Sequence, residues 1–155
     1  MGLNMTESLK LPSFFPYQLT QLQVKVSNAI ADIYTGKFDL SRQEWRILAT
    51  LGESTQLSAK QLGQQTNLEK MPASRAINKM LKQDLIAKSL DKSDKRSSLL
   101  TLSNDGKALY HRLAPLAKKR EQELLSVLDN KELEQLNVLL AKLEQQADLI
   151  LKHQK

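Results

Sequence analysis

The chain has no cysteine among its 155 residues. Disulfides, thiolate metal sites and cysteine-based redox sensing are therefore excluded. Aromatic residues are scarce, at one Trp, three Tyr and three Phe, and leucine carries nearly half of the apolar content instead. Five Gly and four Pro are few for an all-β chain, which needs many turns, so composition favours helices. No apolar run approaches the ~20 residues of a membrane span, and the N-terminus lacks a hydrophobic signal core. A cytoplasmic protein is expected, with residues 1–11 as a leader. His111 and His153 are the only histidines, and neither has a carboxylate cluster at ligand spacing, so no metal site is expected. There is no glycine-rich phosphate loop, no nucleophile elbow and no nucleophile paired with a base. Neither an enzyme nor a cofactor is expected, and Met71 and Met80 read as helix filler.

What is present is length, leucine and localised charge. A chain of this size hides roughly two-thirds of its surface on folding, enough for a real core. The formal net charge is +6. Between Lys60 and Arg96 lie nine basic residues against four acidic ones, so one segment holds most of the excess. A concentrated positive patch attracts a polyanion, and counterion release drives the association.

Apolar periodicity and capping signals divide the chain into helices. Leu19, Leu22, Val26, Ala29, Ile30 and Ile33 recur at three- and four-residue steps after Pro16, giving a helix that ends near Tyr34–Gly36. Ser41 and Glu44 form a capping box for a second helix, with Trp45, Leu48, Ala49 and Leu51 inward and Gly52 at its close. A short third helix starts at Ser58, with Leu62 inward and its end at Gly63 and Thr66-Asn67. The fourth must begin near Glu69–Lys70, because Pro72 fits only a first turn. Ala73, Ile77, Met80 and Leu81 make its inner face. Leu85–Ala87 and Ser97–Leu102 read as two strands of a hairpin with a charged tip. Ser103 caps a long helix that Pro115 is expected to kink, and Asp129 with Glu132 caps the last one. That helix carries Leu133, Leu136, Leu139, Leu140, Leu143, Ala147 and Ile150. The flanking helices hold more leucine than a chain this small buries alone, which points to a partner.

The expected fold is mainly α with a small β-hairpin wing. Residues 40–102 form a winged helix-turn-helix, and residues 12–36 and 103–153 form N- and C-terminal dimerisation helices. The fourth helix presents Lys70, Ser74, Arg75, Asn78, Lys79 and Lys82 outward. An α-helix fits the major groove, where Ser74, Arg75, Asn78 and Lys79 can reach base edges, Arg suiting guanine and Asn adenine, while Lys70 and Lys82 nearer the ends meet phosphates. An ordinary solvated face would look the same. The wing favours DNA, because Asp94-Lys95-Arg96 sits at its tip ahead of Leu102-Ser103-Asn104-Asp105-Gly106.

In these residues the sequence resembles the MarR family of bacterial transcriptional regulators. The family shows Asp-x-Arg at the wing tip and a Leu-Thr-x-x-Gly stretch after it. Asp94, Arg96, Leu102 and Gly106 match, and Ser103 replaces Thr. Leu57-Ser58, Leu62, Leu68, Ser74-Arg75, Leu81 and Leu85-Ile86 match its spacing too. Two departures stand out. Asp84 takes the place of a usual Gly before the first wing strand, at a site suited to positive φ. Pro72 lies in the recognition segment.

The resemblance implies a homodimer, a repressor, on a pseudo-palindromic double-stranded DNA site. Arg96 would enter the minor groove, oriented by Asp94, and Lys95 would meet the backbone. It also implies an effector. Leu40-Ser41-Arg42-Gln43-Glu44-Trp45-Arg46 is similar to a stretch in members that respond to aromatic carboxylic acids. On that likeness Arg46 binds a carboxylate, Trp45 lines the pocket and Ser27 lies opposite. The alternative is that Trp45 is core and Arg46 makes an intramolecular ion pair. Two other functions stay open, an architectural DNA-binding protein without effector and a helical protein–protein adaptor.

Overall fold

The computed structural model describes residues 8–53, 56–94 and 96–154. Among them are six α-helices and three short strands. In chain order these are α1 (Phe15–Thr35), α2 (Arg42–Glu53), β1 (Leu57–Ser58), α3 (Ala59–Thr66), α4 (Lys70–Lys82), β2 (Ile86–Leu90), β3 (Ser98–Leu102), α5 (Asn104–Leu125) and α6 (Asn130–His153). A single 3-10 turn, Leu11–Ser13, precedes α1. The chain divides into two compact units, the first ending at Lys118 and the second starting at Lys119.

Local chemistry starts most of these helices. The Ser41 hydroxyl accepts the Glu44 N–H at 3.1 Å, and Glu44 reaches back to the Ser41 N–H. Ser58 and Gln61 form the same box for α3, and Asp129 and Glu132 for α6. Pro72 lies in the first turn of α4, where backbone N–H groups have no intrahelical acceptor, so it removes no helical hydrogen bond. Gly52 and Gly63 lie inside α2 and α3 rather than at their ends, and α5 continues through Pro115.

The wing differs from the expected two-stranded hairpin. It is a three-stranded antiparallel sheet of order β1-β3-β2. Leu57 and Ser58 pair with Leu100 and Leu99, and β2 pairs with β3 from Ile86↔Leu102 to Leu90↔Ser98. Two residues are too short a run to show strand periodicity, so β1 is visible only through its partner.

The core of the first unit gathers Tyr34 and Leu40, Ile47, Leu48 and Leu51 of α2, Leu62, Ile77 and Met80, Leu100 and Leu102, and Leu113. Each fully buried aliphatic side chain contributes about 1.5–3 kcal/mol. On α2 the buried positions are Glu44, Ile47, Leu48 and Leu51, with Trp45 and Ala49 only half-buried. Asp84 has φ of 54°, the left-handed conformation expected of it. There β2 and α5 are tied together. The Ser103 N–H donates to the Leu85 carbonyl at 3.1 Å, and its hydroxyl donates to the Asp84 carbonyl while accepting the Gly106 N–H at 3.0 Å.

The second unit contains no buried residue on α6. Leu139, Leu140, Leu143 and Ile150 are each about half exposed. In the first unit the start of α1 likewise exposes Phe15, Leu19 and Leu22. Among the described residues no helix is long and apolar enough to cross a membrane.

Candidate nucleic-acid interface

The α3–α4 pair is a helix-turn-helix built by its turn. Asn67 ends α3 in the left-handed region, with φ of 52°, and the Leu68 N–H closes on the Gly63 carbonyl at 3.1 Å. Glu69 is extended and leads directly into α4. Ala73, Ala76, Ile77 and Met80 then face the core. This leaves Lys70, Ser74, Arg75, Asn78, Lys79 and Lys82 on the exposed side, as the spacing predicted. Met80 is core, but Met71 is 60% exposed in the first turn and fills nothing.

A groove of about 760 Å³ runs between α3, α4 and the sheet. Lys60, Lys70, Ser74, Asn78 and Lys88 line it, with Leu100 among its apolar lining. Lys60 and Lys88 fall outside the predicted contact set. The signal for them was the charge count alone, since one lies on α3 and the other on β2, far apart in sequence. Arg75, Lys79 and Lys82 do not line this groove. The Lys79 ammonium lies 3.1 Å from Glu44 Oε1.

The tip of the wing is organised by two carboxylates. Asp91 accepts the Ser93 N–H at 2.8 Å, the Ser93 hydroxyl at 2.6 Å and the Ser97 hydroxyl at 3.1 Å. These hydrogen bonds, that of the Ser93 hydroxyl foremost, hold its carboxyl below the usual range. Asp94 accepts the backbone N–H of Arg96 at 3.0 Å. It therefore shapes the turn that carries Arg96 by holding the main chain. Lys95 lies outside the described residues.

The expected effector residues sit on α1 and α2. Trp45 is half-buried and stacks on Tyr34, with ring centroids 5.6 Å apart and planes 12° from parallel. Ser27 and Arg46 are also half-buried. Two neighbours were not anticipated. Tyr34 is buried, and burial raises its phenol pKa, while Arg42 and, more weakly, Arg46 pull it down. Arg42 also donates to the Asn28 side chain, one residue beyond Ser27. Tyr34 was read only as a helix end and Arg42 only as part of the family-like stretch. Among the described residues no group of three or more His, Asp or Glu is placed to hold a metal.

The MarR family model matches residues 40–98, which span α2 to the start of β3. A crystal structure of a MarR/EmrR family transcriptional regulator from Acinetobacter sp. ADP1 is 28% identical. It covers 91% of this chain and 99% of its own, with a TM-score of 0.82. Over residues 40–98, and in fold along most of its length, the chain is similar to the MarR family. It is a DNA-binding transcriptional regulator of the winged helix-turn-helix type, in a family that is not enzymatic. Two further structures share the fold. NadR in complex with 4-hydroxyphenylacetate is 21% identical, with a TM-score of 0.75, covering 89% of this chain and 97% of its own. BpsR of Bordetella bronchiseptica is 20% identical, with a TM-score of 0.79, covering 88% and 97%, and its DNA binding is regulated by 6-hydroxynicotinic acid. No curated protein matches the chain.

Proposed function

We propose that this MarR-family regulator is a homodimeric repressor that reads a pseudo-palindromic duplex and is released by a small aromatic acid. The observation that carries the DNA reading is the groove beside α4, where Lys60, Lys70 and Lys88 surround Ser74 and Asn78. In this reading Ser74, Arg75 and Asn78 meet base edges in the major groove. Lys60, Lys70, Lys82 and Lys88 meet phosphates. Arg96, presented by the Asp94 turn, enters the minor groove, and Lys95 beside it meets the backbone. Residues 40–102 act as the reading head. Residues 12–36 and 103–153 form the dimer, supported by the exposed Leu19, Leu22, Leu139, Leu140 and Leu143. A two-fold axis then sets two recognition helices about one DNA turn apart.

Selection of bound sequences from a random duplex pool tests this. A symmetric site preferred ~10³-fold or more over random DNA is expected. Binding without sequence preference would replace the repressor by an architectural protein. Arg96→Ala must weaken binding at low and moderate salt, and unchanged affinity removes Arg96 from the interface.

The acid reading rests on Arg46 and Trp45 of α2 and Ser27 of α1, and is supported by Tyr34, which stacks on Trp45 and feels the charges of Arg42 and Arg46. Two fold relatives respond to or hold aromatic acids. A guanidinium matches a carboxylate in shape and charge, and Trp45 offers a ring face. Thermal-shift measurement with benzoate- and cinnamate-type acids should show stabilisation that Arg46→Ala removes. No stabilisation, or a shift that survives the substitution, refutes it.

A further inference from the structure

The strongest buried charge in the reading head is Glu44, whose side chain is 4% exposed. A glutamate in the first turn of a helix normally caps from the surface. Here α2 packs against α4, and the carboxylate is enclosed between them. It serves both helices. Oε2 accepts the Ser41 N–H at 3.4 Å, which completes the cap of α2. The same carboxylate holds the Lys79 ammonium, at 3.1 Å from Oε1 and 3.3 Å from Oε2. Lys79 is 46% exposed, so its stem crosses the surface while its charge returns inward.

This geometry conflicts with a role for Lys79 on DNA. A buried carboxylate is tolerated only while its charge is compensated. Withdrawing the ammonium to a phosphate would leave Glu44 unpaired in a largely apolar site. Lys82, one turn on, carries no such commitment in the hydrogen bonds and ion pairs above. We propose that Lys79 is a positioning residue rather than a DNA contact. With Glu44 it clamps the recognition helix α4 to the capped start of α2, and so sets the angle at which Ser74, Arg75 and Asn78 are presented.

The two roles give opposite results. Binding of the full chain and of Lys79→Met, Glu44→Gln and the double variant is measured over a salt series. The probes are a random-sequence duplex and the duplex recovered by selection. For a clamp, the salt slope of Lys79→Met stays at the wild-type value, while its preference for the selected duplex falls on the order of tenfold. Glu44→Gln, which cannot touch DNA, loses preference similarly. Gln keeps the capping acceptor, so α2 still forms. The double variant, with no unpaired carboxylate, regains thermal stability that Lys79→Met loses. For a phosphate contact, Lys79→Met reduces the slope by about 0.9. Glu44→Gln then binds as well as or better than wild type, because it frees a cation and removes a negative charge. Either of those two results overturns the proposal.

Discussion

Substituting Gly106 sets two effects of known sign against each other. Gly106 lies in the first turn of α5. Replacing a helical glycine by alanine ordinarily stabilises by about 1 kcal/mol. Here the added Cβ would lie 2.0 Å from the Leu85 carbonyl oxygen and 3.0 Å from its carbon, where ordinary contact begins near 3.4 Å. Both clashing atoms are backbone, so no side chain can swing aside. Either β2 or α5 must move by more than an ångström. That movement strains the bonds by which Ser103 joins them, to the Leu85 and Asp84 carbonyls and from the Gly106 N–H. Overpacking of this kind costs about 1–3 kcal/mol, and each lost hydrogen bond about 1 kcal/mol more. The clash therefore outweighs the propensity gain, and Gly106→Ala should destabilise by about 2 kcal/mol. For a chain of this length that is a fall in Tm of about 4–8 °C, read by thermal unfolding followed by circular dichroism. Gly52→Ala is the internal comparison. Its Cβ meets the Tyr110 ring at 2.4 Å, but that ring ends a half-buried side chain that can turn away. It should lose less. A Gly106→Ala protein as stable as wild type, or a larger loss at Gly52, refutes the reasoning.

Three other outcomes follow from particular residues. Asp84→Val places a β-branched side chain at φ of 54° and should cost about 1–2 kcal/mol, whereas Asp84→Gly should stay within about 1 kcal/mol of wild type in urea unfolding. Asp91 is held below the ordinary carboxylate value, so its hydrogen bonds support the wing at neutral pH and are lost as pH falls through that lowered value. The Ser93 amide resonance should then titrate with a midpoint below the usual Asp pKa of about 3.9, and a midpoint at or above it contradicts the turn. Paired Leu139→Arg and Leu143→Arg substitutions leave an already exposed helix face folded but charged. Sedimentation should show a monomer with unchanged helicity, and a persistent dimer would exclude that face from the interface.

Much of the reading head was legible in one dimension because its signals are short-range. Ser41-Glu44 in the reading head, like Asp129-Glu132 before α6, is a box closed over three residues, and the backbone groups it satisfies are adjacent, while Ser58 alone marked the start of α3. The family resemblance, with a usual Gly where Asp84 stands, marked a left-handed position, and Asp84 has φ of 54°. Asp94 and Arg96 sit within a single turn, so their spacing alone brings Asp94 to the Arg96 amide. Pro72 located the start of α4 by what proline cannot do.

What the sequence by itself determined is therefore where helices begin, which faces are apolar and where positive charge accumulates. Tertiary structure alone decided the company that each of those charges keeps. Lys79 and Lys82 both read as outer-face residues of α4, yet Lys79 meets a carboxylate 35 residues away in the chain. Lys60 and Lys88 meet at one groove only because β3 lies between β1 and β2. Leu57-Ser58 becomes a strand only against Leu99 and Leu100. Capping is settled by neighbours in the chain, but strand pairing, burial of a carboxylate and the company of a cation depend on how separate elements pack.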